Sequence, residues 1–65
     1  MFKEGDWIRI KNEASCLSVE ITAGLDPSAS YKVTACSLFN VAFKDTDSRN
    51  RVRKIFNYEL YTPYT

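Results

Sequence analysis

In Asp6-Trp7-Ile8-Arg9-Ile10-Lys11, near the start of this 65-residue chain, two isoleucines alternate with tryptophan, arginine and lysine. A period of two is typical of a β-strand with one buried face, because successive side chains point to opposite sides. The pattern predicts a first strand with Ile8 and Ile10 in the core and with Trp7, Arg9 and Lys11 facing outward. Gly5, directly before it, predicts a turn.

The same period continues after residue 30. Residues 31–36 predict a second strand, and residues 38–44 predict a third. The side chains predicted to face the core from these two strands are Tyr31, Val33, Ala35, Phe39, Val41 and Phe43.

The C-terminal part of the chain predicts two more strands. Residues 45–50 are rich in Asp, Ser and Asn and predict a turn. A fourth strand is expected over residues 51–55 and a short fifth over 58–61, with a single helical turn at Phe56-Asn57 between them.

Residues 12–30 lack a clear period. Val19-Glu20-Ile21-Thr22 is rich in β-branched residues and would suit an irregular strand, and Pro27 would interrupt any helix. We expect a long, partly ordered loop here, of the kind that often carries function on small barrels.

Together these segments predict one all-β domain over residues 1–65. Short strands joined by polar turns favour a small barrel, which leaves no open sheet edge. The expected architecture is an SH3-like barrel of about five antiparallel strands with a long loop after strand one.

Composition argues against catalysis. The chain has no histidine, the usual general base near neutral pH and the commonest metal ligand. Cys16 and Cys36 lack metal-site spacing and are expected to be free thiols. We therefore expect no enzyme activity, no cofactor and no metal.

The N-terminus and hydropathy bear on location. Residues 1–6 are charged and lack the apolar region of a signal peptide, and no apolar run approaches the length that spans a bilayer. We expect a cytoplasmic protein that does not associate with membranes.

Residues 44–54 form a basic segment. It holds five cations and two anions, a local net charge of +3, although the whole chain carries only +1. In an extended segment three of the cations share one face and would suit phosphate or carboxylate groups. A solvated hairpin, protected from aggregation by its arginines, is an equally open interpretation. The cations are Lys44, Arg49, Arg51, Arg53 and Lys54.

Trp7 is the second candidate feature. An outward indole flanked by Arg9 and Lys11 would suit a stacking platform or an interface anchor, unless residues 12–30 cover it. In a small barrel the first strand and the basic hairpin are expected to form one surface. The predicted binding residues are Trp7, Arg9, Lys44, Arg49, Arg51 and Arg53.

Near the C-terminus, Tyr61 and Tyr64 are a candidate surface pair for self-association. Packing of this tail on its own barrel is the alternative.

Three segments resemble small SH3-like proteins that are common in bacteriophage genomes. The opening, residues 2–10, has an apolar start, Gly-Asp and an alternating strand. Residues 25–33 resemble the loop and second strand of that class, although Asp26-Pro27-Ser28-Ala29-Ser30 stands where the class usually has a glycine. Residues 55–60 resemble its aromatic-Glu-Leu ending. The resemblance implies an SH3-like fold and a non-catalytic role.

Three functions remain open from the sequence. The first is a small protein-interaction module, a phage accessory protein in the host cytoplasm; its partner is a host protein, for which an acidic one is an open option, or a second copy of the chain. The second is a nucleic-acid-binding barrel, since KOW-type modules share the same opening and residues 44–54 are basic. The third is a structural subunit of a larger assembly.

Overall fold

The computed structural model describes residues 1–62, which form five antiparallel strands and one short α-helix. The strands are β1 (Trp7–Ile10), β2 (Tyr31–Cys36), β3 (Asn40–Lys44), β4 (Asn50–Lys54) and β5 (Tyr58–Leu60). Helix α1 spans Ala14–Thr22, and a 3₁₀ turn spans Ile55–Asn57 between β4 and β5. All five predicted strands and the predicted helical turn are confirmed.

The strands form one sheet in the order β4-β3-β2-β1-β5. The first and last strands are neighbours, as expected, with Arg9 opposite Glu59. Strands β4 and β5 lie at the two ends of this order, so the sheet is open among the described residues and does not close into the expected barrel.

The core lies on the inner face of this sheet. Ile8 and Ile10 are buried as the alternation of β1 predicts, and Arg9 between them is exposed. Aromatic rings fill the centre: the Phe43 centroid lies 4.8 Å from that of Tyr31 and 5.4 Å from that of Tyr58.

A bulge in β2 changes which residues reach the core. The pairing shifts by one residue between Val33 and Ala35, so that Ala35 lies opposite Ala42 and Cys36 lies opposite the buried Val41. Ala35 is therefore exposed and Cys36 partly buried. The prediction of Ala35 as a core residue was wrong, because an inserted residue reverses the faces beyond it.

The prediction of a loop over residues 12–30 was wrong in its first half, where α1 forms. Cys16 and Glu20, one helical turn apart, are the buried residues of the helix. The buried face of α1 thus carries a thiol and a carboxylate where an amphipathic helix normally has apolar residues. The helical period of 3.6 is therefore hard to recognise in the sequence.

The end of α1 has a regular cap. Gly24 has a positive φ of 88°, and its N–H donates to the carbonyl of Ile21 while the N–H of Leu25 donates to that of Glu20. These two backbone hydrogen bonds form a Schellman motif, and the buried Leu25 supplies the apolar contact that often accompanies it.

Candidate functional site

The two inward arginines of β4 are held by carboxylates. Arg51 and Arg53 lie directly opposite the buried Phe43 and Val41 of β3, so they lie on the inner face of the sheet. The Nε of Arg51 donates to Oδ2 of Asp45 over 2.9 Å. Val52 between the arginines faces outward instead.

Arg53 contributes to a polar centre around Glu20, which is fully buried. Oε2 of Glu20 accepts a 2.6 Å hydrogen bond from the Tyr58 hydroxyl, and Oε1 accepts one of 2.9 Å from Asn57 Nδ2. The Nε of Arg53 lies 3.1 Å from Oε2. This contact is an ion pair without a hydrogen bond, because the buried Nε–H has no acceptor among the described residues. The centre joins α1 to the end of the sheet.

The same centre acts on the tyrosine hydroxyl. Burial raises the pKa of Tyr58, and the adjacent Glu20 carboxylate, which accepts a hydrogen bond from the hydroxyl, raises it further. Tyr58 therefore remains a hydrogen-bond donor well into the alkaline range.

The predicted binding residues do not form one surface. Arg51 and Arg53 lie on the inner face, whereas Trp7 and Arg9 lie on the outer side of β1. Arg9 donates to Glu59 over 2.6 Å and lies 4.8 Å from the centroid of the Tyr61 ring. Tyr64, the other half of the predicted tyrosine pair, lies outside the described residues.

Arg49 also has an acidic partner. In the exposed turn after β3 its Nη2 lies 3.0 Å from Oδ2 of Asp47. All four arginines of the sequence are therefore paired with carboxylates, so the basic segment is less available to phosphate than its composition indicates.

Trp7 and Lys44 are brought together. Both line a shallow groove of about 330 Å³ on the outer face of β1, β2 and β3, and Lys32 lies there directly opposite Trp7. Neither lysine forms an ion pair within residues 1–62. The groove thus offers a partly buried indole beside two cations, with Lys32 on the middle strand next to Trp7.

Sequence reasoning missed a second surface, at the tip of the β2–β3 hairpin. The N–H of Ser37 donates to the carbonyl of Asn40 over 2.8 Å, which leaves Leu38 and Phe39 as a two-residue loop. Phe39 is 58% exposed and Phe56 is 59% exposed, and their ring centroids are 6.4 Å apart. Leu38 is also mostly exposed. We call Leu38, Phe39 and Phe56 the aromatic tip.

The prediction of Phe39 as a core residue was therefore wrong. Its spacing from Val41 and Phe43 continues the strand alternation, but the hairpin turns before it. Ser37 and Asn40 are turn-forming residues that flank Leu38-Phe39, and this was the available signal in the sequence.

No protein-family model, curated protein or solved structure matches this chain. No helix within residues 1–62 has the length and apolar character needed to cross a membrane.

Proposed function

We propose that this chain is a small, non-enzymatic protein-interaction module that binds its partner through the aromatic tip. The supporting observation is that Leu38, Phe39 and Phe56 are all exposed. Leu38 and Phe39 form a hairpin loop, where polar residues or glycine are usual, and Phe56 lies beside it in the 3₁₀ turn. Large apolar side chains grouped on the surface of a small protein mark interaction sites more often than single ones do.

Charge around the tip favours a protein partner over nucleic acid. Asn40 follows Phe39 in the chain, and Lys54 lies opposite Asn40 on β4. Lys54 thus gives the aromatic tip a cationic rim. Arg49, Arg51 and Arg53 are already paired with carboxylates. An apolar centre with a polar rim is the common arrangement of protein interfaces.

The fold and the biological setting belong to the same proposal. The antiparallel strand order, the 3₁₀ turn before β5 and the pairing of β1 with β5 support an SH3-like arrangement. The resemblance of the opening and closing segments to small phage proteins supports an accessory protein that acts on a host protein in the host cytoplasm.

Site-specific photo-crosslinking tests the proposal. A photoreactive phenylalanine analogue replaces Phe39 in one preparation and Leu60 in a control, since Leu60 is equally exposed on β5. In nuclease-treated host lysate we expect a discrete protein adduct from position 39 and none from position 60. Equal labelling from both positions, or no adduct at position 39, would contradict the proposal.

A second candidate function is binding of single-stranded nucleic acid at the Trp7 groove. The observation that favours it is the indole of Trp7 beside Lys32 and Lys44, neither of which forms an ion pair within residues 1–62, since bases stack on aromatic rings beside cations. Titration of Trp7 fluorescence with an oligonucleotide tests it. Quenching that weakens steeply and log-linearly with salt would support this function; unchanged fluorescence at low salt would exclude it.

A further inference from the structure

The outer edge of β4 has free backbone hydrogen-bonding groups. The N–H of Ile55 donates to the carbonyl of Phe39, and the N–H of Asp45 donates to that of Arg49, which sets the register of the β3–β4 ladder. Hydrogen-bonded residues alternate in an antiparallel pair. The N–H and C=O groups of residues 50, 52 and 54 therefore point away from β3.

Little in the described chain covers this edge. No strand within residues 1–62 pairs with β4 on that side. Arg53 Nη1 donates to the carbonyl of Val52 over 3.3 Å, a long contact that occupies one acceptor. The donor groups of the edge remain available.

Helix α1 lies across from this edge and forms a groove of about 520 Å³ with it. Val19 on the helix and Val52 on the strand are both more than half exposed and line it. Lys54 adds a cation that forms no ion pair among residues 1–62. Arg53 and Glu20 also line the groove and form an ion pair with each other. The groove therefore combines backbone donors and acceptors, two apolar side chains and a net positive charge from Lys54.

We propose that an extended, acidic segment of a partner protein adds to β4 as a sixth strand in this groove. Main-chain hydrogen bonds to residues 50, 52 and 54 would give affinity, and alternate side chains would give specificity. Apolar side chains of the segment meet Val19 and Val52, and a carboxylate meets Lys54. This inference rests on the proposed function and names the chemistry of the partner.

A second copy of this chain is a poor occupant of the same edge. Residues 44–54 carry a local net charge of +3, and it is still +2 when Glu20, the partner of Arg53, is counted with them, so two β4 strands side by side would bring like charges together. Positive side chains on an edge strand oppose such self-pairing. The same charge attracts an acidic segment.

Amide resonances report the added strand directly. The probe is the blocked peptide Thr-Glu-Val-Val-Thr, which as an antiparallel neighbour places its glutamate and second valine on the outer face, beside Lys54 and Val52, and its first valine on the side of Val19. The control peptide replaces the glutamate with lysine. We expect the acidic peptide to shift the amide signals of Asn50, Val52 and Lys54 and to slow their hydrogen exchange at least tenfold. The basic peptide should do neither. Absence of protection at these three amides at millimolar acidic peptide would overturn the inference.

Two variants separate backbone pairing from side-chain contact. Val52→Pro removes an N–H that points away from β3, so the ladder to β3 keeps its bonds; we expect peptide affinity to fall at least tenfold. Val52→Thr keeps the N–H and the β-branched shape and should bind within about threefold of wild type. If Val52→Pro does not fold, Lys54→Glu serves instead, and undiminished binding of the acidic peptide to it would overturn the inference.

Failure here is distinguishable from failure of the proposed function. A partner that still crosslinks to position 39 while Val52→Pro captures it as well as wild type would leave the interaction module intact and exclude strand addition. Loss of the adduct at position 39 would instead remove the proposed function itself.

Discussion

Arg51 and Arg53 stand two residues apart on the inner face of β4, but their carboxylate partners come from different kinds of structure. Asp45 belongs to the same hairpin and lies six residues before Arg51. Glu20 belongs to α1 and is fully buried, and it also accepts hydrogen bonds from Asn57 and Tyr58.

The difference separates a local ion pair from a tertiary one. The pair of Asp45 and Arg51 fixes a turn that the chain forms within one hairpin. The centre around Glu20 holds the helix against β4 and β5, so its loss affects the packing of the whole domain. A buried carboxylate is tolerated only when partners satisfy it, and removing one side of such a pair is costly.

The largest effect is expected for Glu20→Ala. It leaves the Arg53 guanidinium without its ion-pair partner and the Tyr58 hydroxyl without its acceptor, and breaking a pair of this kind costs about 3 kcal/mol. A domain of this size has only about 5 kcal/mol in total, so the variant should lose more than half of its stability and unfold at a much lower urea concentration than wild type. Urea denaturation followed by Trp7 fluorescence measures the loss.

Ser18→Ala is the matched control for that variant. Ser18 lies on the exposed side of the same helix, and its replacement should change the free energy of unfolding by less than about 0.5 kcal/mol. Equal losses for the two variants would show that Glu20 contributes no more than an exposed helical position does.

A smaller effect is expected for Tyr58→Phe. The variant loses a hydrogen bond to a charged acceptor but keeps the ring in the core, at a cost of about 2 kcal/mol near neutral pH. Denaturation with urea at pH 7 measures this loss, and a free energy of unfolding equal to that of wild type would contradict it.

The pH dependence gives an independent check on Tyr58. Because its pKa is raised in the folded state, its contribution is complete below the ordinary tyrosine pKa of about 10 and is lost as pH rises above that value. Wild type should therefore lose more stability than Tyr58→Phe between pH 9 and 11, measured as urea midpoints. Parallel losses in the two proteins would show that the hydroxyl titrates normally.

The smallest effect is expected at Asp45, whose contribution to stability is lost in acid. Hydrogen bonds from the N–H of Arg49 and from the Arg51 side chain hold the pKa of Asp45 below its ordinary value. Its contribution is therefore complete above the unfolded pKa of about 3.9 and is lost as pH falls through the lower folded value. Thermal melts between pH 5 and 2 should show a shallower acid loss for Asp45→Asn than for wild type.

Asp47→Asn is the control for the acid experiment. Its partner Arg49 is mostly exposed, and exposed pairs contribute little. Its melts should follow those of wild type across the whole range. An Asp45→Asn curve that also matches wild type would mean that the hairpin pair gives no stability linked to protonation.

The strands could be predicted from the sequence because their burial is a local property. Ile8 and Ile10 alternate with charged residues, and Val41 and Phe43 alternate in the same way, so each strand shows its own inner face. The turn over residues 45–50 was predictable because residues such as Asp bond to nearby backbone: Oδ1 of Asp45 accepts hydrogen bonds from the N–H groups of Asp47 and Arg49.

Which residues share a candidate site depended more on how the strands pair than on residue type. The sequence identified Trp7 and Lys44 as binding candidates, but only the sheet brings them into one groove with Lys32. The sequence also grouped Arg51 and Arg53 with them. Pairing with β3 turns these arginines inward, toward partners that composition does not reveal.

By itself, the sequence determined the strand order along the chain, the inner faces of β1 and β3, and the two turns at Gly5 and at residues 45–50, because these follow from side-chain alternation and local hydrogen bonds. Only the tertiary structure decided that α1 forms, that β2 reverses its faces at a bulge, and that Phe39 is exposed. Each of these depends on a distant partner or on a shift of one residue in strand register. Glu20 can be buried on the inner side of α1 only because Arg53, Asn57 and Tyr58 surround its carboxylate.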